Sequence, residues 1–290
     1  MQTLRYRLLN VFALAGDALS GNPLCVFEDG RGLSDELMQR LARQFNLSET
    51  TFLLPSTQAK AQARVRIFTP SYEMPFAGHP TLGSAAVCRS LGLGTDELTL
   101  ETAAGLIPVS ARGSQWTLTA RPARWREITV ARERLAAGLG LSPQDLAERP
   151  LWVNAGKEQL IVPLKSAEAV RRASARADLF EDCRSEDGQG MAYVFALEGS
   201  DSAVARFFFP QGAAVLEDPA TGSATANFGG WWQAMGRALP CQLQIAQGAQ
   251  TGRPSRLQLD VDPAGRIGVG GEVIELGQGS VKLPLELASR

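Results

Sequence analysis

The chain has 290 residues, 44% of them hydrophobic and 20% charged, which is enough to bury a substantial core and ordinary for a soluble globular protein. Lys and Arg total 29 against 30 Asp and Glu, so the global positive field that nucleic acid requires is absent and no nucleic-acid partner is expected. A single histidine, His79, excludes a multi-histidine metal site and ties any Ser-His-Asp triad to that one residue.

Arg5 and Arg7 precede the apolar run Leu8-Leu9-Asn10-Val11-Phe12-Ala13-Leu14, which superficially resembles a signal peptide. The run is short and broken by Asn10, so it is read as a buried first strand. No stretch approaches the roughly 20 apolar residues needed to cross a bilayer, and no membrane partner is expected. Strands are predicted at 8–13, 23–27, 50–54, 64–69, 97–101, 106–110 and 115–119, with Gly, Pro, Asn or Asp in most of the gaps. Between the second and third, Ser34-Asp35-Glu36 opens a helix whose Leu37, Met38, Leu41 and Phe45 share one face. Ser34 is its expected cap, and the two acids suit the positive end of the helix dipole.

After Pro80 comes a helix of another kind. Thr81-Leu82-Gly83-Ser84-Ala85-Ala86-Val87-Cys88 carries no charge on any side and is expected to be buried. The pattern then recurs. Arg66-Ile67-Phe68-Thr69-Pro70 returns as Arg206-Phe207-Phe208-Phe209-Pro210, 140 residues on. Pro80-x-x-Gly83-Ser84-Ala85 returns as Pro219-x-x-Gly222-Ser223-Ala224, 139 residues on. Thr50 to Leu54 precedes the first copy much as Ala192 to Ala196 precedes the second. So long a period denotes two homologous lobes rather than a solenoid. The lobes are placed at 1–122 and 123–290, with the final strand free to cross back to the first, and the boundary in the proline-containing stretch Arg121 to Arg126. Each lobe is expected to wrap short strands around its own buried helix, an α+β architecture.

Helices starting just after Pro80 and Pro219 would each offer unpaired backbone N–H groups and a positive dipole end. Facing one another across a pseudo-two-fold axis, they would suit a carboxylate, so a small anionic substrate is expected. His79 stands before one start and Glu217-Asp218 before the other, where ionisable groups are electrostatically perturbed. Bland readings compete: His79 as a turn histidine, Asp218 as a helix cap, Glu49 as a surface carboxylate. Cys25, Cys88, Cys183 and Cys241 form no Cys-x-x-Cys pair and are read as small buried hydrophobes of a reducing, cytoplasmic protein.

Asn46-Leu47-Ser48-Glu49-Thr50-Thr51-Phe52, Pro75 to Thr81, Glu217 to Ala224 and Gly252-Arg253-Pro254-Ser255, with Gly21-Asn22-Pro23 near the start, resemble the PhzF-like phenazine-biosynthesis family in order and over most of the chain. The resemblance implies two lobes of the diaminopimelate-epimerase type, a site between them, a homodimer and no cofactor or metal. It implies Glu49 as the acid/base that moves a proton within the substrate, with His79, Asp218 and Ser223 lining the site. Backbone at Gly78 and Gly222, beside Thr221, would hold the substrate carboxylate. A carboxyl partly buried near Leu47 and Phe52 would have its pKa raised, as proton transfer near neutral pH requires. Two alternatives stay open: a two-base epimerase using Glu49 and Asp218, and a binding protein without catalysis. A P-loop is excluded, because Ser84 stands where its Lys belongs.

Overall fold

A computed structural model describes residues 1–284, and two compact units divide the chain. The first runs from Met1 to Thr119 and also takes the chain from Gly270 onward; the second is Ala120–Val269. In chain order the first unit contains β1 (Gln2–Ala13), β2 (Asn22–Phe27), α1 (Asp35–Phe45), β3 (Glu49–Leu54), β4 (Ala63–Phe68), β5 (Glu73–Met74), α2 (Gly78–Ser90), β6 (Glu97–Thr102), β7 (Gly105–Arg112) and β8 (Gln115–Thr119). The second contains β9 (Arg124–Glu127), α3 (Arg132–Gly138), β10 (Leu151–Asn154), β11 (Glu158–Pro163), α4 (Ala167–Arg172), α5 (Leu179–Asp182), β12 (Ala192–Leu197), β13 (Ser202–Gln211), β14 (Ala214–Asp218), α6 (Gly222–Ala234), β15 (Cys241–Gln247) and β16 (Ser255–Val261). The last strand, β17 (Ile267–Leu283), begins in the second unit and runs into the first.

In the first unit, pairings β1–β2–β3–β4–β6–β7–β8–β17 return to β1 and close an eight-stranded barrel. Closure leaves these strands no exposed edge. The apolar run at 8–14 lies within β1, where Leu9, Val11, Phe12 and Ala13 are buried. Strand pairs β2–β3 and β4–β6 are parallel, and parallel neighbours need a long crossover. The first crossover is α1, capped by Ser34, whose hydroxyl accepts from the Leu37 N–H. It buries Leu37, Met38, Leu41 and Ala42 against Phe27, Phe52 and Phe68. Phe27 and Phe52 stack there, ring centroids 4.8 Å apart.

The second crossover contains α2, buried from Gly78 to Ala85 and packed on β1, β2, β3 and β8. Gly83 is required by that packing, since a Cβ there would lie 2.4 Å from Leu24 Cδ2. On this inner surface Thr51 Oγ1 and Ser84 Oγ share a buried hydrogen bond of 2.9 Å.

The second unit repeats the scheme strand for strand. β10–β11 is antiparallel, β11–β12 parallel, β12–β13 and β13–β14 antiparallel, β13–β15 parallel and β15–β16 antiparallel. Its crossovers are α4 with α5, and β14 with α6. The extra helices α3, α4 and α5 were not expected from the sequence. They span seven, six and four residues, too few turns to show a helical period. α6 packs on β9, β10, β11 and β16. A Cβ at Gly230 would lie 2.5 Å from the Ala123 Cβ, so glycine there lets the neighbouring chain approach closely. No helix among the described residues is long and apolar enough to cross a membrane.

The repeated arginines do the same work twice. Arg66 on β4 forks onto Glu73 of β5 at 2.6 and 2.7 Å, and Arg206 on β13 forks onto Glu217 of β14 at 2.7 and 3.1 Å. Glu217 is therefore a structural carboxylate.

This pairing corrects the sequence alignment beyond the hairpin. Arg66 and Glu73 are 7 residues apart, Arg206 and Glu217 are 11, so the second hairpin is longer by four residues. Both helices have 13 residues and both start five residues after that glutamate, at Gly78 and at Gly222. The structural partner of Gly222 is thus Gly78, not Gly83, and that of Ser223 is His79. The expected starts just after Pro80 and Pro219 are likewise revised. Pro80 sits third in α2, where a helix has no use for its missing N–H, whereas α6 begins three residues beyond Pro219.

Candidate active site

In the first unit the structure brings Glu49 and His79 together. Glu49 is the first residue of β3 and His79 the second of α2, and Glu49 Oε2 lies 3.3 Å from His79 Nε2. Both side chains are largely enclosed, at 15% and 6% exposure, so neither is the surface or turn residue of the bland readings. Gly78 opens the helix, and its start at Ala77 has no side-chain cap, which leaves first-turn N–H groups at the dipole's positive end. The imidazole is held by a hydrogen bond to the backbone of Pro23, within the Gly21-Asn22-Pro23 motif. Since Nε2 makes no hydrogen bond, the contact to Pro23 belongs to the other ring nitrogen.

Burial lowers the His79 pKa to about 3, outweighing the Pro23 hydrogen bond that acts the other way. At neutral pH the ring is therefore uncharged. It carries its one hydrogen toward Pro23 and turns the Nε2 lone pair to the Glu49 carboxyl.

A stability prediction follows from this depressed value. The unfolded ring takes a proton near its ordinary 6.5 and the folded ring only near 3, so stability present above pH 6.5 is lost as the pH falls through that window. By pH 5 the loss amounts to ~2 kcal/mol. The difference in unfolding free energy between parent and His79→Gln, with Glu49 present in both, should narrow or reverse by that amount between pH 7 and pH 5. Parallel pH curves would remove the neutral, buried imidazole from the account.

In the second unit the site residues cluster at the start of α6. Asp218 ends β14, Thr221 is the N-cap position, and Gly222 and Ser223 are the first two helical residues. Asp218 Oδ2 accepts the Thr221 hydroxyl at 2.5 Å, and the Thr221 side chain itself makes no cap hydrogen bond to the helix. Two buried residues that sequence reasoning missed organise this corner. Gln247 accepts the Thr221 N–H at 3.2 Å and donates to the Asp218 carbonyl at 2.9 Å and to Thr221 Oγ1 at 3.0 Å. Gln159 donates to Ser223 Oγ at 2.9 Å and accepts from Asn227 Nδ2 at 2.7 Å. Asn227 had a signal, being an amide in the midst of the small and apolar residues 222–232. Gln159 and Gln247, single polar residues on strands, had none.

Strand register makes the duplication informative. Thr50 opposes Phe68 as Ala192 opposes Phe208, so Glu49 stands where the second unit has Met191. Counted back from the helix starts, Asp218 stands where the first unit has Met74. Each unit therefore supplies one carboxylate that its counterpart lacks. No cysteine lies in the first turn of either helix. The four thiols are buried, and burial raises the pKa of each, Cys88 to about 12 and Cys183 and Cys241 to about 11.

Residues 10–278 match the family described as phenazine biosynthesis-like protein. An uncharacterised isomerase of Pasteurella multocida is 39% identical over 96% of this chain and 94% of its own. Trans-2,3-dihydro-3-hydroxyanthranilate isomerase of Pseudomonas aeruginosa is 36% identical, over 90% and 92%. Among solved structures, the PhzF-family phenazine biosynthesis protein of Bacillus anthracis superposes with a TM-score of 0.85 at 25% identity, over 98% of this chain and 100% of that one. A probable proline racemase of Agrobacterium radiobacter shares the fold at a TM-score of 0.67 and 14% identity, over 97% and 93%.

Proposed function

From the premise that this chain belongs to the PhzF-like phenazine-biosynthesis family, with its α+β diaminopimelate-epimerase-like fold and isomerase activity, we propose that Glu49 is the general acid/base that moves a proton within a small carboxylate-bearing substrate. One observation carries this reading: the Glu49 carboxyl lies 3.3 Å from a buried neutral imidazole at a helix start. A carboxyl enclosed beside a helix start can give its proton to one carbon of the substrate without help from the neutral ring, which holds the carboxyl in place. Having lost the proton, the carboxylate can recover one from another carbon on the same face of a conjugated acid. No electron sink is needed, so no cofactor belongs to this reading.

Within it, N–H groups at Gly78 and Gly222 hold the substrate carboxylate, aided by Thr221 at the helix start. Ser223 and Asp218 meet the substrate's other polar groups. A cytoplasmic homodimer completes the reading, and four free buried thiols suit a reducing compartment.

The test is turnover of trans-2,3-dihydro-3-hydroxyanthranilate, the compound in the name of the 36% identical relative, by the purified protein in D2O without additives. The expected product is the shifted isomer, with deuterium only at carbons that exchange through a single acid/base. Deuterium entering with inversion at one carbon is the result of the two-base alternative, in which Asp218 serves the second face. Anthranilate, a stable aromatic acid with the same carboxylate and amine, should bind without reacting. His79→Ala should lower kcat by roughly 10²-fold while leaving anthranilate affinity within a few-fold. An unchanged rate would return His79 to a purely structural role.

A further inference from the structure

The hydrogen bonds behind Ser223 form a chain with one possible polarity. The Ala155 N–H can only donate, so the Asn227 atom that meets it at 2.7 Å is Oδ1. Asn227 Nδ2 therefore turns the other way, toward the Lys157 carbonyl at 2.8 Å and Gln159 at 2.7 Å. Because Nδ2 only donates, Gln159 must present Oε1 to it, which leaves Gln159 Nε2 to donate to Ser223 Oγ at 2.9 Å. Asn227 and Gln159 are 0% and 2% exposed, so water does not compete for these bonds. Ser223 Oγ is thereby fixed as an acceptor inside the network. Its own hydrogen has no other partner among the described residues and is left for a ligand at the start of α6.

We infer that Asn227 and Gln159 are positioning residues: a two-amide relay that transmits the direction of a backbone N–H to Ser223 and holds its hydroxyl as a hydrogen-bond donor to the substrate. This deepens the proposed role of Ser223 and rests on it. No proton is transferred along the relay, which only fixes which way the last hydroxyl points.

The relay can be reversed from either member without touching Ser223. A carboxylate at position 159 only accepts, so Gln159→Glu draws the Ser223 hydrogen inward. Asn227→Asp turns its oxygen to Gln159, rotates that amide and presents Oε1 to Ser223, with the same result two residues away. Both variants should weaken anthranilate binding at pH 8 by roughly tenfold, the worth of one hydrogen bond left unmade to a buried group. In a Ser223→Ala background each should change the affinity by less than twofold. Any loss of melting temperature, in contrast, should be equal in the two backgrounds, which separates the relay from general destabilisation.

Equal loss of affinity with and without the Ser223 hydroxyl would overturn the relay, as would full affinity in both single variants. A parent that takes up no anthranilate would overturn it too, by removing the ligand the hydroxyl is said to meet. Glu49→Gln, measured alongside, keeps the two ideas apart: it reports on proton transfer, whereas this cycle reads binding alone.

Discussion

Glu49→Gln is expected to lower kcat by about 10⁴-fold, the upper end of what one acid/base group contributes. His79 is held neutral by burial and reaches the substrate through Glu49, while position 191, the counterpart of 49 in the second unit, is methionine. The change is nearly isosteric and keeps a polar group beside His79 Nε2, so stability should move by less than about 1 kcal/mol. Anthranilate affinity should stay within a few-fold, placing the loss in kcat rather than in binding. Activity within tenfold of the parent would refute the assignment. Intact anthranilate binding with no activity in parent or variant would favour the binding-protein alternative.

The largest stability effect is expected at the second repeated arginine. Arg206 is 8% exposed, forks onto Glu217, lies over the Phe208 ring at 4.7 Å, and donates to the carbonyls of Val170, Arg171 and Ala173 at the end of α4. It adds a charged donor to the carbonyls at a helix end, as well as pairing a buried charge. Arg206→Ala strands the Glu217 carboxylate, takes that donor from the carbonyls and should cost ~3–5 kcal/mol. Arg66 makes the matching fork in the first unit, but its partners Glu73 and Asp35 are 36% and 83% exposed, and water can replace it there. Arg66→Ala should therefore cost only ~1 kcal/mol. Chemical denaturation of the two variants reads the contrast directly. Equal costs would show that the duplicated motif, rather than its surroundings, sets the energy.

Much of the fold could be read from the sequence because its signals are local. Ser34 caps α1 as its position before two acids implied, and the expected strands of the first unit fall within a residue or two of β2, β3, β4, β6, β7 and β8. The first strand runs further, from Gln2: Leu4-Arg5-Tyr6-Arg7-Leu8 alternates apolar and polar residues ahead of the apolar run, and the whole length pairs with β17. The duplication was legible through Arg66 and Arg206, whose ion pairs recur. Its register past the hairpin was not. Pro80 and Pro219, aligned by type, occupy different turns of their helices, and only the glutamates bonded to the arginines reveal the four-residue difference.

Site residues divide along the same line. Glu49, His79, Asp218 and Ser223 lie in contiguous motifs that a family resemblance can flag. Gln159, Asn227 and Gln247 act through partners 26 to 72 residues away, and no local pattern records such pairings. The short helices α4 and α5 became necessary only once β11 and β12 were seen to be parallel.

The most direct check on the account is a crystal structure of the protein with anthranilate bound. It should place a Glu49 carboxyl oxygen within about 3.5 Å of a ring carbon, with His79 Nε2 on the carboxyl's far side. Anthranilate seated with its ring more than about 6 Å from Glu49, or a Glu49 side chain turned into open water, would contradict it.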